Sequence, residues 1–259
     1  MKKLIFALVI AASRTAADEA IPAHFHHVHL NVVDPAASID FYTKIFGAVP
    51  VRYAGATDAV FTERSFILFH KVNQPALSAL KAGLWHIGWG AVDMESRYAW
   101  LVEQGVKIHT PIYPLNNIHV TYVQGPDDEL IEVNTMAHHR YAHVHLLAAD
   151  VNETVQWYKK ELGVEVRRDF VPKPEDMSKV RAWSSGFSCD NVSFVVYGRP
   201  DYEPKAPWWP DAPLDAFEPT DDRAIDHIAF SFREIGPVLE QMKAEGGEIV
   251  KPIAHRDDV

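Results

Sequence analysis

The residues of this chain that could do chemistry begin with a histidine cluster. HFHHVHLNVVD, from His24 to Asp34, places four imidazoles within six residues and ends in a carboxylate. Such a tract is either a solvated surface feature or one edge of a metal site, since neutral imidazole is a ready ligand for divalent ions. Repetition favours the second reading. His27 and His29 recur as His143 and His145 at an offset of 116, and His86 recurs as His227 at an offset of 141. A merely polar groove does not explain four histidines at one repeated position. Cys189 is the sole cysteine, which excludes an intrachain disulfide and a thiolate zinc site. Its flanks, SSGFSCDNVSF, suit a small core or turn residue rather than a nucleophile.

The elements that must carry these residues follow from the repeat. HVHLNVVDPAASIDFYTKIFGAVPVR, from His27, matches HVHLLAADVNETVQWYKKELGVEVRR, from His143, pairing Asp34 with Asp150, Tyr42 with Tyr158, Gly47 with Gly163 and Arg52 with Arg168. The segment from His86 matches the one from His227, pairing Gly105 with Gly246 and Pro111 with Pro252. Each segment reads as an alternating strand, a polar turn, an amphipathic helix, a glycine and a further strand. In the first, Val28, Leu30 and Val32 point one way while His27, His29 and Asn31 point the other. Asp34-Pro35 opens the helix. Ile39, Tyr42, Ile45 and Phe46 form its apolar stripe, and Gly47 closes it in the left-handed conformation. Later strands are SFILFH (65–70), HVTYV (119–123) and ELIEV (129–133), the last entered through the turn GPDD (125–128).

The predicted fold is therefore α+β: four βαβββ modules at about 24–75, 84–135, 140–199 and 224 onward. Sequence neighbours are expected to pair, giving a first domain over 24–135 and a second over 140–259. The fourth module breaks off about two strands short of the second, and a truncated sheet leaves open edges. Further strands are thus expected after Val259. Loop 199–223 carries six prolines and cannot be a central strand or a long helix. Trp208 and Trp209 within it are expected to clamp onto the body rather than to form a lid.

Composition excludes some partners. With 47% hydrophobic and 23% charged residues, 259 residues suffice for one large or two modest domains. A net charge of −10 without a basic run argues against nucleic acid. MKKLIFALVIAASRTAADEA reads as an export signal: Lys2 and Lys3, an apolar run over 4–12 too short to span a bilayer, and small residues at 15–17. The mature protein is then expected to be periplasmic or secreted, to begin after residue 17 and to carry a charge of −13, with no attraction to anionic membranes.

HVHLNVVDPAASIDFYTKIFG resembles the opening of a module in the vicinal oxygen chelate superfamily, and HIGWGAVD with GPDDELIEV is similar to its second module. That superfamily includes glyoxalase I, extradiol ring-cleaving dioxygenases, fosfomycin resistance enzymes and bleomycin-binding proteins. The resemblance covers nearly all of the chain after the leader. It implies curled mixed sheets built from paired modules, with a divalent metal in the cup. It also implies His27, seven residues before Asp34, and His86, seven before Asp93, as first-strand ligands. Glu132 is then the last-strand carboxylate and His70 a fourth ligand from the first module. In the second domain the implied ligands are His143 and His227. There the counterpart of His70 is Gly198 if SFILFH aligns with SFVVYG, and the counterpart of Glu132 falls beyond Val259. The implied cofactor is one divalent ion, Fe2+, Zn2+, Ni2+ or Mn2+, per competent domain. Two imidazoles and one carboxylate leave open positions on a six-coordinate ion. There a substrate chelates through adjacent oxygens and the ion acts as a Lewis acid.

Three functions follow from the resemblance. Extradiol ring cleavage is favoured by the four-module length, the three-ligand set and Tyr122, since ring-cleaving relatives keep a tyrosine before this turn. The match is partial: the histidine they keep several residues earlier is absent, and Gly125 and Asp128 depart from their turn. A glyoxalase-type lyase or isomerase is favoured if His70 is a ligand, with Glu132 both ligand and base. A metal-free sequestering protein, like bleomycin-binding relatives, has no need of the recurring histidines. The residues lean to ring cleavage. His29 is either a general base or partner of a ligand, or a polar residue lining the cup. His24 and His26 are expected in solvent ahead of the strand, and His138 and His139 in the link between domains. The expected partner is a small-molecule substrate, without nucleic acid or stable membrane association; a homodimer is compatible with the resemblance.

Overall fold

The computed structural model describes residues 23–75, 82–168, 184–198 and 220–251. The segment expected to be an export signal and the tryptophans of loop 199–223 lie outside the described residues. In chain order the elements are β1 (His24–Val32), α1 (Pro35–Phe46), β2 (Val49–Tyr53), β3 (Thr57–Phe61), β4 (Phe66–Lys71), β5 (Leu84–Ala91), α2 (Met94–Glu103), β6 (Lys107–Leu115), β7 (Ile118–Gln124), β8 (Leu130–Thr135), β9 (Tyr141–Leu147), α3 (Val151–Leu162), β10 (Glu165–Arg168), β11 (Ser184–Cys189), β12 (Val192–Tyr197), β13 (Ile225–Ser231) and α4 (Ile235–Ala244). The fold is α+β, as the alternating and helical periodicities require.

Local chemistry sets the helix ends. The Asp34 carboxylate accepts from the Ala36 N–H at 3.0 Å, Pro35 opens α1, and Gly47 closes it at φ 69°. Asp93 and Asp150 cap α2 and α3 through Ser96 and Glu153, and Gly163 repeats the left-handed close at φ 64°. Tyr42, Ile45 and Phe46 of α1 are buried, and Phe46 stacks on Trp89 of β5 with ring centroids 4.3 Å apart. Full burial of side chains this size contributes about 1.5–3 kcal/mol each.

The sheets pair the modules otherwise than expected. One sheet has the order β13-β1-β4-β3-β2; the other runs β10-β11-β12-β9-β5-β8-β7-β6. Module one therefore shares a sheet with module four, and module two with module three. The cause lies in the first strands. One edge of each is taken by a parallel strand of its own module, β4 on β1, β8 on β5 and β12 on β9. The other edge is free for an antiparallel partner. Between β8 and β9 the link is short and pinned to the end of β5: the Met136 N–H donates to Ala91 O and the Gly90 N–H to Arg140 O, both at 2.9 Å. This delivers β9 to β5, and leaves β1 to β13. Halves 24–135 and 140–259 are thus contiguous in sequence while each sheet draws on both.

His24 and His26 lie inside β1 rather than ahead of it, because pairing with β13 begins at His24 opposite Ser231. His24 is exposed and 2.9 Å from Asp190, while His26 is half-buried against His27. His138 and His139 do lie in the link. Cys189 is buried, its thiol 3.1 Å from Ala23 O. No helix among the described residues is long and apolar enough to cross a membrane.

Candidate metal centre

Two strand registers converge on one buried cluster. Parallel pairing sets Glu132 of β8 beside Gly88 of β5. Antiparallel pairing sets His143 of β9 beside Gly88, and His145 beside His86. His86, Glu132, His143 and His145 are all buried, and one donor atom from each lies within 4.8 Å of the others. His86 Nε2 is 3.1 Å from Glu132 Oε2, and His143 Nε2 is 3.4 Å from Glu132 Oε1. Metal bonds of about 2.0–2.2 Å place neighbouring donors roughly 3 Å apart. Glycine at 88 is required by this approach, since a Cβ there would stand 2.0 Å from His143 Nε2.

The electrostatics fit a cation. Burial by itself would raise the Glu132 carboxyl, but the imidazoles of His143, His86 and His145 hold it well below the usual carboxylate range. Tyr122 donates to its Oε2 at 2.7 Å and Asn134 Nδ2 to its Oε1 at 2.8 Å. Burial lowers all three imidazoles, His143 to about 4. An anionic carboxylate among neutral imidazoles is the ionisation that metal binding needs. His86 Nδ1, His143 Nε2 and His145 Nδ1 are buried without a hydrogen-bond partner. Each such orphan costs about 1–3 kcal/mol, and an uncompensated buried charge costs several more. A divalent ion would offset both the charge and the orphaned donors facing it. A cavity of about 350 Å³ is lined by Glu132, His145, Tyr122, Asn134, Ser185 and Tyr197.

A second cluster lies on the other sheet. His27, His29 and His227 bring donor atoms within 4.8 Å of one another, half-buried to exposed. Burial, then neighbouring imidazoles, lowers His27 to about 3 and His29 to about 4.

The structure redistributes the residues singled out in the sequence. Placing His27, His70, His86 and Glu132 in one site, and His143 with His227 in another, is corrected by the sheet pairing. His86 and Glu132 join His143; His27 joins His227; His70 falls outside both groups, its ring centroid 5.9 Å from that of His29. Strand register explains His70. The last-strand position occupied by Glu132, beside Gly88, is occupied by Leu68 beside His29 and by Val195 beside His145. His70 lies two residues further along β4, beside Asn31. The alignment of SFILFH with SFVVYG is accordingly out by one residue, and the counterpart of His70 is Tyr197, not Gly198. Tyr122 is at the centre as expected, whereas His29 belongs to the second cluster. His145 is the residue that sequence reasoning undervalued. Its signal was the repeated His-x-His.

Residues 24–133 and 140–258 match a family model described as the Glyoxalase/Bleomycin resistance protein/Dioxygenase superfamily. Among solved structures, glyoxalase I from Zea mays is similar with a TM-score of 0.67 at 16% identity, covering 89% of this chain and 83% of that one. A mutant of the same enzyme gives 0.66 at 16% identity, with 89% and 83% covered. Identities this low speak for the fold alone. No curated protein matches the chain.

Proposed function

Because the chain belongs to the Glyoxalase/Bleomycin resistance protein/Dioxygenase superfamily, we propose that it is a metal-dependent enzyme, with His86, His143 and Glu132 as ligands, acting on a small substrate through two adjacent oxygens. Its proposed reaction is oxygen-dependent ring cleavage of the extradiol type. The carrying observation is the two-imidazole, one-carboxylate set, with nitrogens 3.1 and 3.4 Å from the Glu132 oxygens. Three such donors leave three positions open on a six-coordinate ion, one more than a bidentate substrate fills.

When bound, the ion would supply Lewis-acid polarisation of the substrate oxygens. The chain supplies the rest. Tyr122 and Asn134 hold one orientation of Glu132, as outer partners of a ligand do. His145 lines the cavity as a neutral imidazole that can accept a hydrogen bond from a substrate hydroxyl. Val195 puts an apolar side chain where a second last-strand carboxylate would stand, so His145 has no acidic rival at that wall. The cavity of about 350 Å³ suits a substrate of one ring.

A glyoxalase-type lyase or isomerase is the second reading, and one observation favours it: His145 is close enough to be a fourth ligand. Metal-stripped protein reloaded with Fe2+ without oxygen, then given catechol and air, distinguishes the two. Oxygen uptake with a ring-opened product supports cleavage. Turnover of a thiol–2-oxoaldehyde adduct by the Ni2+ or Zn2+ form, with no oxygen uptake, supports the second. No turnover of either class with any metal would sink the enzyme reading and leave a sequestering protein. Export through residues 1–17 is proposed alongside, to be checked by N-terminal sequencing of protein from the periplasmic and culture fractions.

A further inference from the structure

We propose that Asn134 determines substrate specificity: its side-chain oxygen selects chelating molecules that carry a hydroxyl or N–H donor beside the two oxygens that reach the ion. The role rests on the chelation proposed for the buried centre. Asn134 lies two residues past Glu132 on β8, so both side chains leave the same face of the sheet. It is only 7% exposed, and it lines the cavity of about 350 Å³ together with Glu132.

The amide has only one way round. Asn134 Nδ2 lies 2.8 Å from Glu132 Oε1. As a metal ligand Glu132 is an anion, and its carboxylate only accepts. A flipped amide would set oxygen against oxygen. Oδ1 is therefore the free end of the side chain, and it is buried without a hydrogen-bond partner.

The neighbouring strands supply no donor to it. β5 places Gly90 beside Asn134, and β7 places Val120 there. Neither side chain can donate, and the Gly90 N–H is engaged by Arg140 O at 2.9 Å. The cavity is the side that remains. An acceptor so placed sorts molecules by what they leave unpaired. A ligand with a donor completes the hydrogen bond, whereas one that brings a methyl group leaves the oxygen buried and unmatched. Such a site rejects the analogue lacking the donor more strongly than an apolar pocket rejects a missing methylene. The chelating oxygens face the ion, so the donor is a third group beside them. For ring cleavage the class is a catechol with a further ring hydroxyl rather than an alkylcatechol.

The test measures binding to the Zn2+-loaded full chain without oxygen, since zinc has no redox chemistry with which to consume the ligand. Pyrogallol and hydroxyquinol are titrated against their analogues in which methyl replaces the third hydroxyl. In the wild type at least one of the two is expected to bind about 10-fold or more tighter than its methyl analogue. Asn134→Leu is expected to bring that ratio to about one. Asn134→Asp keeps an acceptor at Oδ1 and is expected to retain it. Loosening of Glu132 in a variant weakens both members of a pair alike, so a merely structural role does not move the ratio. Wild-type ratios of one for both pairs overturn the role and leave chelation standing. A ratio that survives in Asn134→Leu overturns it as well. If no ligand binds the Zn2+ form better than the metal-stripped form, chelation falls and this role with it. The wild-type ratios can overturn the role whether or not a variant holds its ion.

Discussion

The buried centre and the exposed cluster are built on one plan and end differently. Each takes a His-x-His pair from one module and a first-strand histidine from another. In each, the register is the same: His145 faces His86 and His143 faces Gly88, while His29 faces His227 and His27 faces Ala229. Three features separate them. Glu132 supplies an anion to the buried centre, whereas the described group on the other sheet consists of histidines alone. Gly88 admits the His143 ring where Ala229 presents a Cβ. Trp85, Tyr122 and Tyr197 pack about the buried histidines, whereas His227 faces solvent. Imidazole placement is thus a property of the repeat, and what each cluster can do is set by its neighbours.

The comparison breaks hardest at Glu132. Removing one charged member of a buried set costs about 3–5 kcal/mol. Glu132→Ala is therefore expected to lower metal affinity at the buried centre roughly 100-fold or more, as read from metal retained after dialysis. Retention equal to the wild type would remove Glu132 from the donor set.

A second buried carboxylate on the approach to the same strand sharpens the contrast. Burial raises Glu129 to about 7, despite hydrogen bonds from Tyr42 Oη at 2.8 Å and the Asp127 N–H at 2.9 Å. A carboxyl raised on folding contributes stability fully below its unfolded value, near 4.5, and that contribution is lost as pH rises through about 7. Denaturant unfolding at pH 5 and pH 8 should show a loss of roughly 3 kcal/mol from this group. In Glu129→Gln the slope should flatten, since the amide can accept from Asp127 and donate to Tyr42. An unchanged slope would assign the pH dependence elsewhere.

Gly88→Ala adds the methyl group that Ala229 already carries. With His143 Nε2 only 2.0 Å from that Cβ, the ring must move. Overpacking of this kind costs about 1–3 kcal/mol. Reduced thermal stability together with weaker metal binding is expected; weaker binding with unchanged stability would show that the ring swings aside freely.

Much of this was legible in the sequence. The modules, the caps at Asp34, Asp93 and Asp150 and the left-handed glycines at 47 and 163 follow from spacing, while His86, His143 and Glu132 were implied as ligands by the family resemblance. Module pairing did not, because alternation tells which face of a strand is buried and is silent about which strand takes its free edge. His70 was misplaced for a related reason. It lies two residues past the Leu68 position on the same strand face, and nothing in SFILFH marks its register against β1. His145 was read through its twin His29, although Val195 leaves it the more consequential position.

The link over 136–140 has a consequence for how the molecule can be taken apart. Each sheet is closed by a strand from the other half of the chain, so the two halves are interlocked rather than strung together. Expressed alone, either half would carry two first strands with bare edges, and both histidine clusters would be split. Mixed in one tube, the halves should find each other and restore both clusters without any peptide bond between them. The link would then act as a tether, replacing an encounter between molecules by one at an effective concentration on the order of millimolar.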